Sequence, residues 1–152
     1  MAKVGVIGAG SWGTALSVLL HSNGHEVSVW SISQPEVDML NTQHEHKDKL
    51  PGVKIPEEIL ITTDLEGTVR DKELLVLAVP SPYTRSTARS MAPYVGDGQL
   101  IVNVAKGIEE STLMILTDII EQEIPNCRAA VLSGPSHAEE VGRGLPTTVV
   151  AG

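Results

Sequence analysis

The chain has 152 residues, enough for one domain with a real core and short for two. Hydrophobic residues make up 41 % with no run that approaches a membrane span, and the formal net charge of −8 comes without any Lys/Arg cluster, so nucleic acid and anionic membranes are poor partners. The single cysteine, Cys127, excludes an internal disulfide, fits a reducing cytoplasm and reads as a small packed residue rather than a reactive thiol.

A strand-like segment begins almost at once, so no signal peptide is expected. Residues 3–8 (KVGVIG) read as a buried strand, and 12–23 as a helix with Leu16, Leu19 and Leu20 on one face. Residues 26–30 (EVSVW) form a second strand, and 34–43 a helix that turns Val37 and Leu40 to the core. Residues 42–58 are the longest irregular piece, with two prolines, a length that points to function rather than an idle connection. His44 and His46, at i and i+2 with no cysteine partner, lack metal-site spacing and read as loop polarity. A short strand over 59–62 is followed by Asp64, a helix N-cap. Residues 74–79 are a continuous apolar strand; Pro82 marks a helix start and 84–94 the helix. Then come strand 100–104, helix 111–123, strand 129–132, helix 136–141 and a last strand over 147–151. Apolar strands alternating with helices predict an α/β domain spanning 1–152, its parallel sheet covered on both faces.

The first strand runs into Gly8-Ala9-Gly10-Ser11-Trp12-Gly13, a G-x-G-x-x-G. Between a strand and an amphipathic helix this hexapeptide points to a Rossmann-type, doubly wound fold that binds a dinucleotide. Gly8 allows the tight turn, Gly10 lets a pyrophosphate approach the backbone, and Gly13 lets helix and strand pack closely. The pyrophosphate then sits on the helix N-terminus, beside Ser11 and Trp12. The end of the second strand reads Trp30-Ser31-Ile32-Ser33-Gln34. It holds neither the acid that reads ribose hydroxyls nor an arginine for a 2′-phosphate, and Ser31 and Ser33 can bond either, so NAD and NADP both stay open.

Four segments resemble one family. They are VGVIGAGSWGTAL (residues 4–16), NTQHEHKDKLPGVKIPEEI (41–59), LAVPS (77–81), and the pair VAKGIE (104–109) with LSGPSHAEEVGRGLPTT (132–148). In order and over almost the whole chain they resemble the N-terminal domain of NAD(P)-dependent glycerol-3-phosphate dehydrogenase. The resemblance implies that Lys106 lies beside substrate and nicotinamide as a catalytic, substrate-binding and cofactor-binding residue. Residue chemistry agrees: an ammonium at the carboxyl end of a parallel strand can pair with a phosphate or polarise a ketone. The resemblance further implies that Gly134 and Ser136 close the substrate pocket, and that Pro80, Ser81 and Ala138 line the cofactor. Ser136 is also a good N-cap for the following helix. His137 reads as a substituted packing position rather than a general acid.

The family's enzymes are about twice this length and add a helical domain that completes the substrate site. Chain 1–152 is therefore expected to be a fragment that binds NAD or NADP with little or no turnover. In the whole enzyme the resemblance implies hydride exchange between the nicotinamide and dihydroxyacetone phosphate, giving sn-glycerol 3-phosphate for phospholipid synthesis. An apolar patch where the helical domain docks is expected, and with it self-association, a homodimer included. Two alternatives stay open: a 6-phosphogluconate-like or ketopantoate-reductase-like dehydrogenase, and a free-standing dinucleotide-sensing module without chemistry.

Overall fold

The computed structural model describes all of residues 1–152. Its centre is a seven-stranded sheet built from β1 (Lys3–Ile7), β2 (Glu26–Trp30), β5 (Leu60–Thr62), β6 (Leu74–Leu77), β7 (Leu100–Asn103), β8 (Arg128–Ser133) and β9 (Val150–Ala151), in the spatial order β5-β2-β1-β6-β7-β8-β9. Every pair is parallel except β8–β9, where Leu132 faces Ala151 and Ser133 faces Val150. This is the doubly wound order of a Rossmann fold with an antiparallel edge strand added.

Side-chain alternation along the strands divides the core into two layers. Val4 and Val6 of β1 and Val76 of β6 join Val29, Val37 and Leu40 on one face, where α1 (Ser11–Ser22) and α2 (Gln34–Gln43) lie. Ile7, Leu75 and Leu77 point to the other face and meet Ala88, Met91 and Ile120 from α4 (Thr84–Met91) and α5 (Leu116–Glu123). Short helix α3 (Leu65–Val69) sits on the second face through Val69, and α6 (Ala138–Gly142) packs against α1. The caps follow from the residues: Ser33 Oγ accepts the Glu36 N–H at 3.3 Å, and Asp64 Oδ1 accepts the Gly67 N–H at 3.1 Å. Cys127 is buried in the second layer, and burial first, then the Glu121 charge, pushes its thiol up, which suits an inert residue. No helix is long and apolar enough to cross a membrane.

The structure departs from the sequence reading in five places. Residues 42–58 are not irregular: β3 (Glu45–His46) and β4 (Leu50–Lys54) form an antiparallel hairpin. Its Leu50 and Val53 are buried together with Ala15, against Trp12 and Ala138. His46 is not loop polarity; it is 2 % exposed and its Nε2 lies 3.0 Å from Glu36 Oε1. Helix α5 starts at Leu116 rather than 111, because the preceding residues fold into a turn. Leu113 takes φ +59°, its N–H bonds to the Glu109 carbonyl at 2.8 Å, and Ile108 pairs with Ile115. Ser136 does not cap α6; the N-cap is His137, which is exposed rather than packed and makes no side-chain cap bond. The last strand is reduced from 147–151 to Val150–Ala151, and residues 147–149 stay outside the sheet.

Candidate functional site

A cleft of about 960 Å³ opens at the carboxyl ends of the parallel strands, where the two halves of the sheet diverge. The glycine loop forms its floor. Gly8 has φ +116°, and a Cβ there would meet the Ala78 carbonyl oxygen at 2.7 Å. A Cβ on Gly13 would fall 1.9 Å from the Gly8 carbonyl oxygen, so only glycine lets α1 approach the turn this closely. A Cβ on Gly10 would meet nothing within 4 Å; the space before it is open. Gly10 is also the N-cap of α1 and offers no side chain to the first N–H groups. Open space in front of unpartnered amides at the start of a 12-residue helix fits a pyrophosphate. Ser11 and Trp12 line the same floor.

At the end of β2 the cleft is walled by Trp30, Ser31 and Ile32. Trp30 Nε1 donates to the Thr63 carbonyl at 3.0 Å, which fixes the indole. The Ser31 hydroxyl is engaged: it donates to Glu36 Oε2 at 2.5 Å and accepts the Ser33 N–H at 3.1 Å. Sequence reasoning missed Glu36 and Lys49, which also line this end. Lys49 Nζ donates to Glu36 Oε1 at 2.6 Å, beside the His46 contact. Burial works to raise the Glu36 carboxyl, but the bonds from Lys49, Ser31 and His46 outweigh it and hold the group below its ordinary range. Glu36 sits one helical turn past the position where an acid is sought, and Lys49 arrives on the hairpin, so no local motif announces the pair.

Lys106 stands three residues beyond β7 at the opposite end of the cleft. Its Nζ donates to the Gly134 carbonyl at 3.2 Å, and the Ser136 N–H donates to the same oxygen at 2.9 Å. Pro80, Ser81, Ser136 and Ala138 line the cleft around it; Gly134 lies behind Lys106, and Gly13 lies beneath the floor, so neither forms the surface. Two anchors hold the lysine's segment. Asn103, 2 % exposed, donates through Nδ2 to the Ala105 carbonyl at 2.9 Å and accepts the Ala105 N–H at 3.3 Å. Arg85 of α4 grips Glu109 with two bonds of 2.7 and 2.8 Å while a third reaches Glu123 of α5 at 2.7 Å. The Arg85 guanidinium, helped by the Thr112 hydroxyl, holds the Glu109 carboxyl down at about 2.

Residues 3–152 match the family described as NAD-dependent glycerol-3-phosphate dehydrogenase N-terminus. A protein of Agathobacter rectalis named glycerol-3-phosphate dehydrogenase [NAD(P)+] is 64 % identical over 152 residues, covering 100 % of this chain and 45 % of that protein. A protein of the same name from Fusobacterium nucleatum is 52 % identical, covering 99 % of this chain and 45 % of its own length. The crystal structure of glycerol-3-phosphate dehydrogenase from Coxiella burnetii superposes with a TM-score of 0.92 at 30 % identity, over 99 % of this chain and 46 % of that one. The chain thus spans a little under half the length of these relatives. A match from residue 3 to residue 152, on the same doubly wound sheet, shows that the chain belongs to the family of NAD-dependent glycerol-3-phosphate dehydrogenase N-terminal domains.

Proposed function

We propose that residues 1–152 form one domain that holds NAD or NADP and carries one wall of a site for dihydroxyacetone phosphate and sn-glycerol 3-phosphate. The observation that carries this reading is the meeting, in one cleft, of an open glycine loop and of Lys106 poised on the Gly134 carbonyl. The glycine loop and the N-terminus of α1 bind the pyrophosphate. Pro80, Ser81 and Ala138 orient the rest of the cofactor toward Lys106. The bound nicotinamide supplies the hydride chemistry. Lys106 steadies the negative charge that develops on the ketone oxygen, and Ser136 shapes the pocket beside it. In a cytoplasmic enzyme this reaction supplies glycerol phosphate for phospholipids.

Lys106 is exposed in this chain, so one wall alone neither excludes water nor orients a small substrate. Residues 1–152 alone therefore bind the dinucleotide and turn over little or no dihydroxyacetone phosphate. The test follows Trp12 and Trp30 fluorescence during titration with NADH and with NADPH, then absorbance of the reduced cofactor after adding dihydroxyacetone phosphate. Saturable quenching with negligible oxidation is expected. No quenching at millimolar cofactor overturns the binding reading, and robust turnover overturns the need for a second wall.

A further inference from the structure

The end of β2 is where a Rossmann domain reads the 2′ position of the adenosine ribose. A site that reads the free diol needs an unengaged carboxylate there. The carboxylate at this end of the cleft, Glu36, is only 16 % exposed and already accepts from Ser31, Lys49 and His46 at 2.5, 2.6 and 3.0 Å. Three of its four or so acceptor sites are filled, and the Ser31 hydroxyl has committed its one proton and one of its two lone pairs. The diol finds no unengaged carboxylate.

Lys49 is different. Its side chain is 48 % exposed and lines the cleft, and one bond to Glu36 leaves two ammonium N–H groups free. It is also held in place. His46 on β3 is 2 % exposed, and the residue after Lys49, Leu50, is fully buried on Ala15 of α1. The hairpin therefore carries the ammonium to the end of β2 on a fixed mount. Glu36 steers the ammonium without filling it.

We infer, resting on the dinucleotide reading above, that Lys49 is the residue that recognises the 2′-phosphate, so that this domain selects NADP(H) over NAD(H). The ammonium donates to a phosphate oxygen beside Ser31 and Ile32 while its third N–H stays on Glu36. One charge-assisted bond, partly offset by the nearby Glu36 charge, sets a preference of about tenfold.

The experiment is fluorescence titration of the protein and of its Lys49→Met and Lys49→Arg variants with NADPH and with NADH, at low and at high salt. The expected result is about tenfold tighter binding of NADPH by the unaltered protein. Lys49→Met abolishes the NADPH preference without loss of NADH binding, since the freed Glu36 oxygen can take a ribose hydroxyl; Lys49→Arg keeps the preference; salt weakens NADPH more than NADH. Retained NADH binding by Lys49→Met also shows that this variant is folded. Equal affinities in the unaltered protein, or equal losses for both cofactors in Lys49→Met, overturn the inference and leave the dinucleotide reading standing. Failure of the unaltered protein to bind either cofactor overturns both.

Discussion

Gly10 and Gly13 belong to one hexapeptide, yet their surroundings separate their roles. An added methyl on Gly13 collides with backbone, which cannot swing aside as a side chain can, so Gly13→Ala destabilises the fold by about 2 kcal/mol in denaturant titration and impairs cofactor binding with it. An added methyl on Gly10 enters open space at φ −71°, an ordinary conformation for alanine. Gly10→Ala therefore keeps the midpoint of unfolding and loses dinucleotide affinity, because the methyl stands where the pyrophosphate approaches. Equal stability losses for the two variants would remove that distinction. At the far end of the cleft Lys106 bonds only to a backbone carbonyl, so its loss leaves the fold intact. On the role proposed for Lys106, Lys106→Met is expected to lower kcat by about 100-fold in an enzyme that contains both walls of the site, read by steady-state kinetics with the melting temperature as the control.

Between elements, the Arg85 cluster ties α4, α5 and the Lys106 segment together. Glu109 keeps its charge down to a pH of about 2, so the folded state holds fewer protons there than the unfolded chain. The stabilisation is fully present above the ordinary carboxyl value of 4.5 and fades as pH falls from there toward 2. Glu109→Gln is therefore less stable than the unaltered protein at pH 6, and the gap between their melting temperatures closes on acidification into that window. A gap independent of pH would exclude the carboxylate as its source. None of this was legible in the sequence, because Arg85 meets Glu109 and Glu123 across 24 and 38 positions. The glycine loop and the parallel strands were legible because their signals are local: a period-2 or continuous apolar run, then a turn, then a 3.6-residue stripe. The β3–β4 hairpin was hidden for the converse reason. Its strands are short, Pro51-Gly52 interrupts the alternation, and His46 is polar at a buried position. Glu36 and Lys49 became visible as a pair only once that hairpin was folded onto α1.

Over the whole molecule, the sheet is well covered on both faces but not at the carboxyl edge of β7 and β8. Ile108, Leu113 and Ile115 follow β7, and Leu145, Val149 and Val150 precede or form β9; all six are exposed, Leu113 by 72 %. The two faces of the sheet bury their aliphatic side chains almost fully, so these six are apolar groups for which the 152 residues supply no cover. Strand β9 adds an open edge whose outer N–H and C=O groups have no ladder partner. An apolar rim beside an open strand edge favours covering by another chain, and in a solution of residues 1–152 the available chain is a second copy. Sedimentation velocity is expected to show a species heavier than the monomer that grows with concentration. Leu113→Lys and Val150→Lys, each placing a charge on one of the two groups, are expected to return the chain to the monomer without lowering its melting temperature. A chain that stays monomeric at all concentrations would mean that the net charge of −8 outweighs the apolar rim.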